Sequence, residues 1–239
     1  MRKFGLIGKS LSHSFSLSYF ENKFITNKLW DCSYQNFELE NVDNIRSFMF
    51  DNQLNGLNVT IPFKEEVIKH LDSLSKEAKQ IGAVNCISVN EHKLIGHNTD
   101  CYGFTESIIP LLQKNHKKAL ILGTGGASKA VAYSLQNLGI EYEFVSRDGT
   151  INYQNVNKQL QNNFSLVINT TPLGTYPKTN TFPDLPYQLI DKGFLLYDLV
   201  YNPEMSAFLK FGKEKKCTIK NGYEMLCLQA EKSWQIWNE

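Results

Sequence analysis

The chain has 239 residues, of which 42% are hydrophobic and 12% aromatic, enough for one large domain or two modest ones with a substantial core. Its 25 Lys and Arg nearly match its 24 Asp and Glu, so the net charge of +1 provides no global attraction to nucleic acid or anionic lipid. Five scattered cysteines without a C-x-x-C pair argue against a disulfide framework or a zinc site and indicate reduced thiols of a cytoplasmic protein. No run approaches 18 uncharged apolar residues, so we expect the protein to be neither secreted nor membrane-spanning.

Short strands and helices are predicted over the first hundred residues. In chain order the patterns predict a strand at 4–8, helices at 17–24 and 42–50, and strands at 34–39, 57–61, 83–89 and 94–96. Pro62 fits the first turn of a helix whose buried stripe runs from Val67 to Leu74. Lys64 would then project from that first turn, where the helix dipole disfavours a cation, so a solvated lysine and a functional one are both open.

A helix is predicted at 102–112, directly after Asn98-Thr99-Asp100. Asp100 can be read as its N-cap without any catalytic role. Pro110 lies within the apolar pattern and should bend or shorten this helix.

From Lys118 onward the patterns of strand and helix alternate, which predicts a parallel sheet with right-handed crossovers. The predicted strands cover 119–122, 142–145, 166–169, 195–200 and 217–220, and the predicted helices cover 128–138, 153–160 and 224–237. On the last helix Gln229 interrupts an apolar face, either as a boundary residue or as a group that a polar ligand would satisfy. The hydroxyl-rich loop Ser10 to Ser16 offers a similar choice between turn formation and the binding of a polyol.

The glycine cluster Gly123-Thr124-Gly125-Gly126 lies between a predicted strand and a predicted helix. Gly123 would permit a sharp turn and Gly125 would let the backbone approach a pyrophosphate at the helix N-terminus, although a glycine cluster of this kind is also common in simple tight turns. After the second strand of this region, an NAD-binding protein usually has an acidic residue. This chain has Ser146-Arg147 there, followed by Asp148, so NADP is favoured over NAD.

Eight segments together make the chain resemble the shikimate dehydrogenase family, including its quinate/shikimate relatives. They are His13 to Ser16, Asn58 to Lys64, Gly82 to Asn85, Asn98 to Asp100, Gly123 to Ala127, Asn169 to Gly174, Tyr197 to Pro203, and Gly222 to Leu226 with Gln229. They span nearly the whole chain in the family's order, and N-V-T-I-P-F-K followed by N-T-D is far more specific than the glycine cluster.

The resemblance implies an α/β fold of two domains separated by a cleft. Residues 1–101, completed by the C-terminal helix at 221–239, would form the substrate-binding and catalytic domain. Residues 102–220 would form a linker helix and a Rossmann-like domain that binds NADP. The expected protein is a monomer or homodimer that acts on a small molecule and requires no metal.

The resemblance also implies residue roles. Lys64 and Asp100 match the family's catalytic pair, in which the lysine exchanges a proton with the substrate oxygen. The substrate-binding residues would be Ser14, Ser16, Thr60, Asn85, Asp100, Tyr201 and Gln229. The cofactor-binding residues would be Gly123, Gly125, Gly126, Ala127, Ser146, Arg147, Thr170 and Gly222.

The activity that follows is the NADP-dependent, reversible reduction of 3-dehydroshikimate to shikimate. Two alternatives remain: a quinate/shikimate dehydrogenase that prefers NAD, suggested by Asp148, and a nucleotide-binding sensor that kept the fold without turnover. The presence of both Lys64 and Asp100 argues against the sensor.

Overall fold

The computed structural model describes residues 1–12 and 14–239, and His13 of the segment His13 to Ser16 lies outside this described part. The chain divides into two compact units, one formed by residues 1–102 with 227–239 and the other by residues 103–226. Each unit has its own sheet, with a hydrophobic cluster on both of its faces.

The first unit contains a six-stranded mixed sheet. Its elements are β1 (Arg2–Gly8), α1 (Phe15–Thr26), β2 (Cys32–Glu38), α2 (Ile45–Asp51), β3 (Leu54–Val59), a 3-10 helix (Glu66–His70), β4 (Ser73–Leu74), α3 (Lys76–Ile81), β5 (Cys86–Asn90), β6 (Lys93–His97) and the start of α4 (Asp100–Ile108). The strand order is β2-β1-β3-β5-β6-β4. Strands β1, β2 and β3 run parallel, whereas β5 is antiparallel to both of its neighbours.

Alternation along β1 shows why both faces of this sheet are buried. Phe4 and Leu6 point into one cluster, together with the aromatic residues of α1, while Ile7 points into the other cluster. Because successive side chains of a strand point to opposite faces, a strand with apolar residues at both parities must be covered on both sides.

The second unit contains a five-stranded, fully parallel sheet with the order β11-β10-β9-β7-β8. Its elements, after the rest of α4 and a 3-10 turn (Ile109–Leu111), are β7 (Lys118–Leu122), α5 (Gly126–Asn137), β8 (Glu141–Val145), α6 (Asn157–Gln161), β9 (Leu166–Asn169), a 3-10 turn (Tyr187–Leu189), β10 (Leu195–Asp198), α7 (Ala207–Glu214) and β11 (Thr218–Lys220). The last helix, α8 (Tyr223–Ile236), begins in this unit and belongs to the first unit from Cys227 onward. The predicted α/β class and the parallel sheet are therefore confirmed. Pro110 ends the regular part of α4 as predicted, because the α-helix stops at Ile108 and a 3-10 turn containing the proline follows.

The predicted helix after Pro62 is wrong. Residues 61–65 form successive turns, with a cis peptide bond before Pro62, and only a short 3-10 helix follows from Glu66. Lys64 therefore precedes that helix, and the dipole argument does not apply to it. Leu74, the last residue of the predicted helix stripe, belongs to β4. The prediction failed because apolar residues spaced three to four apart occur both in α-helices and in consecutive tight turns.

Two helices were missed although their caps are visible in the sequence. Helix α3 has Ser75 as N-cap, accepting from Ala78 N at 3.2 Å, and ends at Gly82 with φ of +70°. Helix α7 is capped in the same way by Ser206. One predicted helix is shorter than expected: the helix predicted at 153–160 covers only Asn157–Gln161.

Candidate active site

Strand directions bring the polar residues of the first unit to one edge of its sheet. The carboxyl ends of β1, β3 and β6 lie at this edge, and so does the amino end of β5, because β5 runs in the opposite direction. Ser14 follows β1, Thr60 and Lys64 follow β3, Asn85 precedes β5 and Asp100 follows β6. Residues that are distant in the sequence therefore converge.

Lys64 and Asp100 form a short ion pair at this edge. Lys64 Nζ lies 2.6 Å from Asp100 Oδ2, and the two side chains keep only 16% and 9% of their accessible surface. The backbone of Lys64 is held in place by a hydrogen bond, since its carbonyl oxygen accepts from Val84 N at 2.7 Å. Asp100 is the first residue of α4, and its carboxylate binds Lys64 and Asn85, so the alternative of a simple N-cap does not describe it.

Asn85 connects the ion pair to the C-terminal helix. Its amide nitrogen donates to Asp100 Oδ1 at 2.8 Å and to Thr99 Oγ1 at 2.9 Å, with Gln229 Oε1 at 3.4 Å. Its oxygen accepts from Thr99 N at 2.7 Å. Three residues that the family resemblance assigns to the substrate, Asn85, Asp100 and Gln229, thus form one buried group, called the Asn85 group below.

Ser14 presents a hydroxyl group that the fold does not use. It occupies the N-cap position of α1, yet its side chain makes no capping hydrogen bond, and its Oγ is buried without a partner among the described residues. A buried polar atom without a partner costs free energy, on the order of 1–3 kcal/mol, unless a ligand satisfies it. This favours ligand binding over helix capping for Ser14.

Ser16 and Thr60 lie in the same region. The Ser16 hydroxyl is a hydrogen-bonding neighbour of the Tyr34 phenol. Burial raises the pKa of this phenol well above its ordinary value, and the hydrogen bond from Ser16 lowers it to a smaller extent. Thr60 directly follows Val59, whose N–H donates to the carbonyl oxygen of Asn85 at 2.9 Å. Both residues are half-buried.

In the second unit the glycine loop joins β7 to α5. Gly123 has φ of +110°, a conformation that favours glycine, and Gly125 is the N-cap of a twelve-residue helix. A Cβ atom at Gly125 would meet nothing within 4 Å, so the backbone there is open to a ligand. The N–H groups of Gly126 and Ala127 in the first helical turn have no intrahelical acceptor, which suits a phosphate group.

The residues after β8 and β9 lie next to this loop. Gly123 N donates to the carbonyl oxygen of Val145, and Thr170 donates to the carbonyl oxygen of Leu122 through both N (3.0 Å) and Oγ1 (2.6 Å). Ser146 and Arg147 follow Val145 directly. The Arg147 side chain is exposed and makes no hydrogen bond or ion pair within the described ranges, so it is available to a phosphate. These groups fit a phosphorylated dinucleotide.

Two further predicted residues belong to the second unit and are not brought into either group by a described contact. Gly222 has a packing reason of its own, because a Cβ atom there would collide with the carbonyl oxygen of Leu199. Tyr201 is half-buried, and burial raises the pKa of its phenol. The roles of Gly222 at the nicotinamide and of Tyr201 at the substrate stay predictions.

A buried carboxylate organises the loops after β9 and β10. Asp198 accepts from Asn169 Nδ2 at 2.9 Å, from Val200 N at 3.0 Å and from Ser206 Oγ at 2.5 Å. Burial nevertheless outweighs these hydrogen bonds and raises the pKa of Asp198 to about 6.

Sequence reasoning gave no role to Asn58, Thr99 and Ser233, which are buried and bonded to the Asn85 group. The available signal was a polar residue inside an otherwise apolar segment, as at Asn58 in Leu57 to Ile61.

Within residues 1–12 and 14–239, no three His, Cys, Asp or Glu side chains are grouped so that they could hold a metal ion. In the same part of the chain, no helix has the length and apolar character needed to span a bilayer.

Comparison with known proteins gives a consistent result. The family model described as the shikimate dehydrogenase substrate binding domain matches residues 6–87. The NADP(+)-dependent shikimate dehydrogenase of Clostridium beijerinckii is 37% identical over 256 residues, an alignment that covers 100% of this chain and 93% of the relative.

Solved structures are similar over the same extent. Shikimate dehydrogenase 1 of Peptoclostridium difficile is 35% identical with a TM-score of 0.85, and the match covers 100% of this chain and 92% of the other. The shikimate 5-dehydrogenase of Thermus thermophilus, solved in complex with NADP(H) and shikimate, is 29% identical with a TM-score of 0.84, with coverage of 99% and 93%.

Proposed function

Because the chain belongs to the shikimate dehydrogenase family, we propose that Lys64 and Asp100 form the centre at which it reduces 3-dehydroshikimate to shikimate. The protein is an NADP-dependent oxidoreductase, as its relatives' full-length similarity establishes. The observation that carries the residue assignment is the Lys64 to Asp100 pair, 2.6 Å long and bonded to Asn85.

Reduction of the ketone adds a hydride to carbon and a proton to oxygen. The nicotinamide of NADPH supplies the hydride. Lys64, held beside a carboxylate, is the proton donor to the oxygen, and it takes the proton back in the oxidation direction. Asp100 accepts a hydrogen bond from a neighbouring substrate hydroxyl and so fixes the position of the ring relative to Lys64.

The remaining substrate contacts follow from the same edge of the sheet. We assign Ser14, Ser16, Thr60, Asn85 and Gln229 to the hydroxyl and carboxylate groups of the ring, with Tyr201 as a further contact. The Oγ of Ser14, buried without a hydrogen-bond partner among the described residues, supports this assignment, as does the place of Gln229 beside Asn85 and Thr99.

NADP would be held by the second unit, residues 103–226, and the substrate by the first. The open backbone at Gly125 supports this division, as does the exposed guanidinium group of Arg147, which makes no hydrogen bond or ion pair with the residues that the structure describes. The substrate-binding family model falls within the first unit. Gly123, Gly126, Ala127, Ser146, Thr170 and Gly222 complete the proposed cofactor site. Arg147 would bind the 2′-phosphate that distinguishes NADP from NAD.

We further propose that the enzyme works in the cytoplasm as a monomer or homodimer, without nucleic acid. All five cysteines are free thiols, and the net charge is +1, which supports a reducing compartment and a small-molecule partner. Light scattering coupled to gel filtration would determine the oligomeric state.

The test of the proposed function is an activity matrix on the purified protein, with shikimate or quinate against NADP or NAD, followed at 340 nm. Turnover should be largest for shikimate with NADP and should be lost in Lys64→Met. Cofactor binding by calorimetry without any turnover would instead support a sensor, and a preference for NAD would contradict the role of Arg147.

A further inference from the structure

A chain of buried hydrogen bonds runs behind the proposed substrate contacts, and none of the roles assigned above accounts for it. It starts at Tyr34 on β2, whose hydroxyl donates to Asn58 Oδ1 at 2.8 Å. Asn58 on β3 donates through Nδ2 to the carbonyl oxygen of Asn85 at 3.1 Å and to Ser233 Oγ at 3.0 Å. These four residues are at most 4% exposed.

The amide of Asn58 fits in only one orientation. Its two N–H hydrogens are both used, on the Asn85 carbonyl oxygen and on Ser233, and its oxygen receives the Tyr34 hydroxyl. Rotating the amide by half a turn would place its oxygen against the carbonyl oxygen of Asn85, two acceptors facing each other. Tyr34 must therefore donate, and burial keeps its phenol neutral by raising its pKa well above the ordinary value.

Asn58 also sets the position of α8 along β3. Gly56 and Asn58 share one face of the strand, and a Cβ atom at Gly56 would overlap the indole ring of Trp237, while Asn58 binds Ser233. Two residues of a strand span about 6.6 Å and four residues of a helix span about 6.0 Å, so the two contacts are in step. The next step along the helix is Gln229.

The position of Gln229 matters because more acceptors surround the side-chain amide nitrogen of Asn85 than it has hydrogens to donate. Its two hydrogens face three acceptors, namely Asp100 Oδ1, Thr99 Oγ1 and the more distant Gln229 Oε1 at 3.4 Å. A small shift of α8 or of the backbone at Asn85 would change which of these acceptors is engaged. Ser233 also affects this arrangement, since its Oγ lies 3.2 Å from Thr99 Oγ1, one of the three acceptors.

We propose that Asn58 and Tyr34 are positioning residues for the substrate: through Ser233 and the Asn85 backbone they hold the side chains of Gln229 and Asn85 at the separation that the substrate's hydroxyl groups require. Neither residue touches the substrate. This inference rests on the substrate contacts proposed above for Asn85 and Gln229.

The test compares two tyrosine substitutions that delete the same atom. Tyr34→Phe removes the hydroxyl that holds Asn58. Tyr197→Phe is the matched control, because the Tyr197 hydroxyl is also buried and bonded to a side-chain hydroxyl, Ser107 Oγ at 2.7 Å, but lies in the second unit and has no role in the proposed site. Steady-state kinetics, calorimetric binding of shikimate and thermal unfolding are measured for both variants and the wild type.

Tyr34→Phe should weaken shikimate binding and raise its KM by about 5- to 20-fold, with the KM for NADP within two-fold of wild type, because one hydrogen bond of the positioning chain is lost. Tyr197→Phe should lower Tm by about as much as Tyr34→Phe does, because each loses one buried hydroxyl, but it should change neither the KM for shikimate nor the KM for NADP. Shikimate binding by Tyr34→Phe within two-fold of wild type, with an unaltered KM, would overturn the inference and leave the chain a purely structural one.

Two further results keep the outcome decisive. Because the Tyr34 hydroxyl also neighbours Ser16, Ser233→Ala tests the other end of the same chain, which bonds Asn58 and Thr99, and it should raise the KM for shikimate as well; an unchanged KM in Ser233→Ala would assign the effect of Tyr34→Phe to Ser16 and overturn the inference. Wild-type protein that fails to bind shikimate would refute the proposed function itself, and that failure is recognisable because it appears before any substitution is made.

Discussion

Replacing Lys64 by methionine removes the ammonium group and keeps a side chain of similar length. Without the proton donor, turnover of shikimate with NADP should fall by about 10²- to 10⁴-fold, the usual contribution of general acid–base catalysis. The KM for NADP should change little, because the glycine loop is untouched.

The same substitution should also cost stability. Asp100 keeps its bond from Asn85 at 2.8 Å but loses the 2.6 Å contact of a charged donor, which is worth about 1.5–3 kcal/mol in a buried site. The lower part of this range applies because the Lys64 side chain is 16% exposed and water can partly replace it. At about 2–4 °C per kcal/mol, Tm should fall by roughly 3–8 °C.

The double variant Lys64→Met/Asp100→Asn separates the two effects. It removes the carboxylate left without its partner, so it should recover at least half of the lost stability while turnover stays at the level of the single variant. Initial rates at 340 nm and thermal unfolding under one buffer condition provide both measurements. Turnover of Lys64→Met within two-fold of wild type, or strictly additive losses of stability in the double variant, would refute the reasoning.

Three other predictions concern the second unit. Gly125→Ala should leave the free energy of unfolding within about 0.5 kcal/mol of wild type, because the new Cβ meets no protein atom within 4 Å, yet raise the KM for both NADP and NAD; unchanged kinetics would contradict a cofactor at this loop. Arg147→Ala should raise the KM for NADP by about 10- to 100-fold and that for NAD by less than two-fold, since only NADP carries the 2′-phosphate; equal effects on both cofactors would exclude that contact. Asp198 has a folded pKa of about 6 against an ordinary value of 3.8, so the stability it contributes is complete below pH 4 and is lost as pH rises through 6. The unfolding free energy of wild type relative to Asp198→Asn should therefore fall by up to about 3 kcal/mol between pH 4 and pH 7, and parallel stability curves would contradict the raised pKa.

Much of the second unit follows from local patterns. The strand at 166–169 was predicted with its observed ends, and the strands around 119–122 and 142–145 within a residue, because a buried parallel strand is a short continuous apolar run between turn signals. The glycine loop is equally local, since strand, turn and helix N-terminus are consecutive in the chain. The first unit was harder to predict where tight turns replace a helix, as after Pro62, because the apolar spacing there fits both structures.

The sequence carried the residue types, their order and the periodicity of the strands and helices, since these depend on neighbours within a few positions, whereas the division into two units was implied only by the family resemblance. Local periodicity did not carry the meeting of Lys64 with Asp100 and Asn85, which only the family resemblance implied, because that meeting requires β5 to run against β3 and β6. The buried bond between Asn58 and Ser233, 175 positions apart, has the same origin, for it exists only once α8 lies across β3. Long-range contacts of this kind depend on strand direction and helix register, and the folded chain alone fixes both.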